Sequence, residues 1–501
     1  MRKIRSTGNK GLTLFVIASL MILGSCSDFL EKPLQGELTQ SNFPVTGSDA
    51  LLATNAIYNT MRISSFNQGL FPILDIMSDD GSKGSNPDDA AATVGPYDAF
   101  QPIPTEGNLS RWWNTLYQGV KRANVVLEKV PPIPMDESLK ARYLGEAHFL
   151  RALFYFDLVR AWGDVPMVTS TIPPVDLTRS PSAGIFDLIE TDLLTAIESL
   201  PEKSDYAATD TGRATKGAAR GLLAKVYLFQ HDFVNAEKYA LEVINSDQYE
   251  MEPNFEDANG VNGEQGVESV FEIGALPFEN LENGGNQYAN VQGVRGTPNR
   301  GWGFNRPTLD LQSSFEPDDP RLDATVIYLG EVLDGVTVLG DGPTPDETRD
   351  GNGDLLEIEC YNQKVWTPGA TVPPSFGHNR RILRYADVLL IAAEALNENG
   401  NPGDALLYLN SVRERARGGN DAILPDIIET GKDALRDIII EERRHELAME
   451  GHRFWDLVRT GKAESVLGPL GFIAGRNELL PVPQNEIDLT QKAITQNPGW
   501  E

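Results

Sequence analysis

The stretch KGAARGLLAKVYLFQHDFVNAEKYALEVI, residues 216–244, decides the fold class. Ala219, Leu222, Leu223, Val226 and Tyr227 fall at i, i+3, i+4, i+7 and i+8, a single apolar stripe at the helical period. His231-Asp232 interrupts it, and Phe233, Ala236, Tyr239, Ala240 and Val243 start a second stripe. The pair predicts a helical hairpin. Small residues (Ala224, Ala236, Ala240) stand where helices cross closely and aromatic ones (Tyr227, Phe233) where gaps need filling, as a tetratricopeptide unit requires. Farther along, Ala386, Leu389, Leu390 and Ala393, the turn Asn399-Gly400-Asn401-Pro402-Gly403, and then Ala405, Leu409 and Val412 repeat the arrangement. Two degenerate hairpins so far apart predict a mainly α, tetratricopeptide-like helical-repeat scaffold rather than a strict array.

Periodicity predicts further helices near residues 48–62, 110–130, 136–162, 181–200 and 433–460, punctuated by Pro201 and the Pro131-Pro132 pair, since proline is excluded from helix interiors. Residues 250–380 differ. They are rich in Gly and Pro and hold only short β-rich runs such as Ser269 to Ile273 and Ala324 to Leu329. The expected organisation is therefore a helical region over 26–249, a loop-rich insertion with short strands over 250–380 on the scaffold surface, and a helical region over 381–501. The insertion is the candidate ligand face, because binding residues concentrate on loops held by a rigid frame.

Residues 1–25 read as an export signal. Arg2, Lys3, Arg5 and Lys10 precede an uncharged, mostly apolar run from Gly11 to Gly24, too short for a permanent span, and Leu23-Gly24-Ser25-Cys26 follows. Small residues directly before a cysteine match a bacterial lipobox, so Cys26 is the expected acylated N-terminus and multiple acyl chains the expected membrane anchor. Removing those four cations takes the formal charge from −29 to −33. Such acidity argues against nucleic acid and anionic lipid as partners. Of the 2 cysteines, only Cys360 would remain free, which leaves no intramolecular disulfide and puts the burden of stability on a large core.

No nucleophile elbow, Walker A loop or complete G-x-G-x-x-G occurs. His445-Glu446 begins a zinc-protease motif, but Met449 stands where the second histidine belongs, which leaves a helix laced by pairs such as Glu441 with Arg444 and Glu450 with Arg453. Asp346, Thr348, Asp350, Asp354 and Glu357 have the spacing of a calcium loop, with Gly351 at its sixth position. Calcium is thus the one candidate cofactor. Thr348 is a poor ligand, Gly353 replaces the usual apolar residue, and no helix precedes the loop, so a solvated acidic turn is the competing reading. Tyr97, Tyr288, Trp302 and Trp366 lie in polar, Gly-rich context and are candidate sugar platforms, because pyranose faces stack on rings while hydroxyls pair with Asp, Asn and Arg. Trp113, four residues before Tyr117, reads as core, which leaves Trp112 as the exposed member of its pair. The glycines beside Trp302 can equally serve to fold backbone tightly over it.

Several further motifs carry a family resemblance. They are Ser27-Asp28-Phe29-Leu30-Glu31 after the lipobox; Gly145-Glu146-Ala147-His148-Phe149-Leu150-Arg151-Ala152 running to Trp162-Gly163-Asp164-Val165-Pro166; Thr215-Lys216-Gly217-Ala218-Ala219; Arg384-Tyr385-Ala386-Asp387-Val388-Leu389-Leu390; Gly451-His452-Arg453-Phe454-Trp455-Asp456-Leu457; Leu480-Pro481-Val482-Pro483; and Gln496-Asn497-Pro498-Gly499-Trp500, with Trp500 where tyrosine is usual. Over nearly its whole length the chain resembles the SusD/RagB family of surface nutrient-binding lipoproteins. That resemblance implies a tetratricopeptide-like scaffold, no catalytic activity, an outer-membrane location facing the cell exterior, and a partner, a SusC-like TonB-dependent outer-membrane transporter. An oligosaccharide is the expected ligand. A peptide ligand in the same uptake role, a surface glycoside hydrolase and an adaptor without small ligand are the alternatives.

Overall fold

The computed structural model describes residues 43–174, 177–276, 287–369 and 377–500. The leader, Cys26 and Ser27 to Glu31 lie outside them. Among the described residues the long helices are α1 Gly47–Asn59, α2 Gly107–Lys129, α3 Glu137–Trp162, α4 Ser182–Ser199, α5 Lys216–Phe229, α6 Phe233–Ile244, α7 Tyr385–Glu398, α8 Pro402–Ala416 and α9 Lys432–Glu446.

Both hairpins form where the apolar stripes put them, and local chemistry starts their helices. Thr215 accepts a hydrogen bond from the Ala218 N–H at 3.0 Å to cap α5, and Asp232 accepts from Asn235 N–H at 3.1 Å to cap α6. Pro402 opens α8, where its missing N–H costs nothing. From α2 to α8 each helix packs on the next, including α6 on α7 across the whole insertion. The stack is therefore continuous although the sequence is not. Leu389, Leu390, Ala393 and Leu396 of α7 share one cluster with Ala405, Leu409 and Val412 of α8 and Leu435 and Ile439 of α9, and Ile244 of α6 packs against it. Residues 46 onward make one compact unit, and no described helix is long and apolar enough to cross a membrane.

The expected helix over 433–460 is broken. α9 stops at Glu446, Met449 and Gly451 take left-handed φ values of 61° and 81°, and a short helix resumes at Arg453–Arg459. The break has an electrostatic reason. It turns Glu450 inward, where Arg384 donates to both its carboxylate oxygens at 2.8 Å and Lys364 Nζ approaches to 2.7 Å. Arg453 consequently pairs with Asp79, at 2.9 and 2.7 Å, rather than with Glu450. Glu441 and Arg444 do approach one another, at 3.7 Å.

Within and beside the insertion run short strands: β1 Gly81–Gly84, β2 Ser269–Ile273, β3 Phe304–Pro307, β4 Val326–Tyr328, β5 Val332–Leu333, β6 Val336–Thr337, β7 Glu347–Arg349, β8 Leu355–Ile358, β9 Cys360–Asn362 and β10 Arg380–Arg384. They pair antiparallel, two at a time: β1 with β3, β2 with β10, β4 with β9, β5 with β6, and β7 with β8. The insertion does not simply lie on the surface. β2, β3 and β9 are buried along their whole length, and β10 runs straight into α7. Cys360 on β9 is a free buried thiol, its pKa pushed up to about 12 by burial.

Charge stitches insertion to scaffold. Arg384 at the end of β10 reaches Glu446 of α9 at 3.1 Å and also pairs with Glu268. Arg415 of α8 meets the same Glu268 at 3.0 Å, while Arg321 reaches Glu442 of α9 at 2.5 Å and Arg413 holds that residue's other oxygen at 2.7 Å. These side chains are buried, so each charge depends on its partners to offset lost hydration.

Candidate ligand-binding site

The structure separates the five nominated aromatics. Tyr97 is fully buried, and its hydroxyl donates to Glu106 Oε2 at 2.7 Å, the same oxygen that caps α2 by accepting from Asn108 and Leu109 N–H. It is a structural tyrosine, not a platform. Trp112 is 1 % exposed and lies 5.1 Å from the Trp162 ring, which corrects the expectation that it faces solvent. The reason is that both sides of α2 are covered, one by α3 and the other by the short helix Ser64–Leu70. Gly69 of that helix is so close that a Cβ there would sit 2.5 Å from the Trp112 nitrogen. Trp113 is buried too and contacts both Trp162 and Tyr117, as its spacing predicts. Tyr288 is buried, its ring 5.5 Å beneath the Arg380 guanidinium.

Trp302 and Trp366 keep part of their surface open. The glycines around Trp302 serve backbone packing: a Cβ on Gly301 would meet Asn290 O at 2.5 Å, and the Trp302 N–H donates to that carbonyl at 2.8 Å. Gly303 has a φ of +74°, which a side chain would disfavour. Trp366 packs one side on the cluster of Val294, Ile327, Val338 and Tyr361, and Arg300 stacks over its ring at 5.2 Å. Burial lowers the Arg300 pKa while nearby Asp334 opposes that shift. Asp334 accepts from the Gly369 N–H at 2.9 Å. The partly open Trp366 indole, the Arg300 guanidinium stacked on it and the exposed Asp334 carboxylate that acts on Arg300 thus form one group beside the β5–β6 hairpin, and Trp302, also partly open, stands two residues after Arg300 on the 300–303 turn. Such a set offers ring faces to sugar C–H groups and a donor and an acceptor to hydroxyls. Sequence reading missed Arg300 and Asp334, although Arg300 stands two residues before Trp302 and Asp334-Gly335 has the composition of a hairpin turn.

The calcium reading fails on geometry. Thr348 on β7 and Glu357 on β8 are cross-strand partners, so the segment is a hairpin rather than a coordinating loop. The Asp350 carboxylate accepts from the Asn352 and Asp354 N–H groups at 2.8 Å each. Glu357 turns to Arg306 at 3.0 Å and Ser82 at 2.7 Å. Asp346 and Asp354 do not converge with them, and among the described residues no group of three His, Cys, Asp or Glu side chains is placed to hold a metal. Glu446 of the aborted zinc motif sits in the buried ion network instead, and His445 stacks on Phe315 at 4.9 Å.

Family models match in two stretches, the SusD family over residues 267–471 and a family described as starch-binding, associating with outer membrane, over 87–228. SusD-like protein P2 of Formosa agariphila is 31% identical over 522 aligned residues, which cover 97% of this chain and 99% of that protein. The chain belongs to the SusD family. Among solved structures of SusD-like proteins, a laminarin-binding one is 30% identical with a TM-score of 0.77, covering 91% of this chain and 100% of its own. Surface glycan-binding protein A from Bacteroides thetaiotaomicron, in complex with laminarihexaose, is 26% identical with a TM-score of 0.76, covering 90% and 100%. The SusD-type motifs themselves are structural. Trp162 Nε1–H donates to Pro481 O at 3.0 Å, Asn497 donates to Trp162 O at 3.2 Å and Leu480 O at 2.7 Å, and Trp500 Nε1–H donates to Leu479 O at 2.9 Å, so motifs far apart in sequence fasten the tail to the end of α3. In this chain these residues hold the tail in place and identify no ligand.

Proposed function

We propose that this SusD-family protein is a non-catalytic, lipid-anchored glycan-binding protein of the outer-membrane surface that captures oligosaccharide and passes it to a SusC-like TonB-dependent transporter. The observation that carries this reading is similarity over nine-tenths of the chain to two glycan-binding structures, joined to the partly open Trp302 and Trp366, the exposed Asp334 and the Arg300 guanidinium stacked on Trp366. Laminarin-type oligosaccharides are the first ligands to test, since both structures bear that ligand in name. Anchoring by Cys26 supplies the location.

Titrating the body that lacks residues 1–26 with laminarihexaose and a wider glycan panel tests the ligand class. Saturable glycan binding without hydrolysis is expected; binding of peptides alone would replace the glycan by a peptide, and sustained hydrolysis would make the protein an enzyme. Cys26→Ala should move the protein from the membrane pellet to the soluble fraction, and continued pelleting would refute the anchor.

A further inference from the structure

Between α3, α5 and β10 lies a cavity of about 60 Å³. Its apolar walls include Phe154, Phe156 and Leu222, and charged side chains complete them. All but one of those charges are matched. Arg160 pairs with Asp157 at 2.5 Å, Lys225 with Asp387 at 2.9 Å, Arg381 with Glu272 at 3.3 Å, and Glu450 with Arg384 and Lys364. Lys225 also donates to His452 Nδ1 at 3.1 Å. Burial, then Lys225, lowers the His452 pKa to about 3, so the imidazole is neutral and its proton sits on Nε2 as a donor. The exception is Arg380. Its guanidinium has no hydrogen bond or ion pair among the described residues, its Nε is buried without a partner, the Tyr288 ring lies 5.5 Å away, and Asp157 and Asp75 act on it only from beyond ion-pair distance. A half-buried guanidinium with no carboxylate at ion-pair distance is underpaired, in contrast to the other charges that line the cavity.

We propose that this cavity binds a single oxyanion group, a carboxylate or a sulfate, through Arg380, with His452 as a second donor. Size narrows the ligand. At about 10–15 Å³ per water the space holds roughly four waters, which suits one oxyanion and excludes a pyranose ring. The group therefore enters either as a free ion or as the acidic substituent of a saccharide whose ring stays outside; the second source rests on the glycan-capture reading above.

Thermal melting and calorimetric titration of the full chain with sodium sulfate, acetate and glucuronate, in chloride-free buffer, test the site. Wild type should show a saturable rise in melting temperature with at least one of these ions. Arg380→Gln should bind it about tenfold more weakly or worse, the loss expected for a charged hydrogen bond, and Arg380→Lys should retain part of the response. Without added anion, Arg380→Gln should melt no lower than wild type, a result that a folding defect does not imitate. Equal, unsaturating responses in wild type and Arg380→Gln would overturn the proposal. Should Arg380→Gln fail to fold, the comparison of wild type with Arg380→Lys decides in the same way. An oligosaccharide bearing glucuronate or sulfate that binds more tightly than the free ions, with the gain lost in the variant, would identify the substituent as the source; equal affinity would identify the free ion. Neutral laminarihexaose serves as the separate control: its failure to bind wild type counts against glycan capture and leaves the cavity result standing.

Discussion

Two tryptophans show how burial sorts residues that look alike in sequence. Trp112 is enclosed by α3 and the Ser64–Leu70 helix, so Trp112→Ala should cost about 3–5 kcal/mol in a denaturant titration. Trp302 is partly open, and Trp302→Ala should cost clearly less stability while weakening laminarihexaose binding; a melting loss as large as that of Trp112→Ala would assign Trp302 to the core. Asp75 is a different kind of residue. It is fully buried, accepts from Asn305 at 3.0 Å and Gly451 N–H at 3.0 Å, and has its pKa raised to about 7, mainly by burial with a further push from Asp80. The unfolded chain releases this proton near pH 4, whereas the folded protein keeps it to about 7. Asp75 therefore makes the native state lose stability as pH rises through that window. Stability measured at pH 5 and pH 8 should improve for Asp75→Asn relative to wild type on going to the higher pH, and an unchanging difference would show that Asp75 does not titrate there.

At the level of elements, helix contacts depend on small residues at particular crossings. A Cβ on Gly119 of α2 would lie 2.4 Å from the ring of Phe154 on α3, and Phe154 is itself 1 % exposed, with little room to yield. Alanine gains about 1 kcal/mol of helix propensity over glycine, but overpacking a closed site costs about 1–3 kcal/mol. Gly119→Ala should therefore be net destabilising by up to about 2 kcal/mol in urea unfolding, and a stabilised variant would mean that α2 and α3 can part easily. The break after α9 follows the same logic of local cost against tertiary gain. Met449 accepts a φ that non-glycine residues seldom adopt, and in return Glu450 reaches Arg384 and Lys364.

Across the whole molecule, the buried ion network sets the response to acid. Burial opposes ionisation of Glu446, Glu450, Asp387 and Asp456, yet their cationic partners prevail and hold all four below the usual carboxylate range: Arg415 and Arg384 for Glu446, Arg384 and Lys364 for Glu450, Lys225 and Arg443 for Asp387, and Arg443 and Arg459 for Asp456. Groups with depressed pKa values contribute stability that is complete above about pH 4–5 and is lost as pH falls through the folded values. Melting temperature should accordingly fall steeply below about pH 4, and a flat acid profile would contradict the network. Glu446→Gln leaves Arg384 and Arg415 underpaired in the core and should cost about 3–5 kcal/mol at neutral pH.

The sequence by itself determined the mainly α scaffold, both hairpins and the family, because apolar periodicity, helix caps and proline are local signals whose meaning survives without knowledge of distant neighbours. Residues 216–244 and 385–416 are legible for that reason. Of the five aromatics it nominated, two, Trp302 and Trp366, keep part of their surface open. What only the tertiary structure decided is which side chains are covered and which charges meet. Tyr97, Trp112 and Tyr288 carry the same aromatic signal as Trp302, but burial depends on the element that packs over each one, and the sequence around a ring does not state it. The calcium spacing became a hairpin because strand pairing set Thr348 opposite Glu357. Glu446 and Glu450 read as charges on a helix until folding brought Arg384 and Lys364 to them, for the Coulomb interaction acts through space and has no period along the chain.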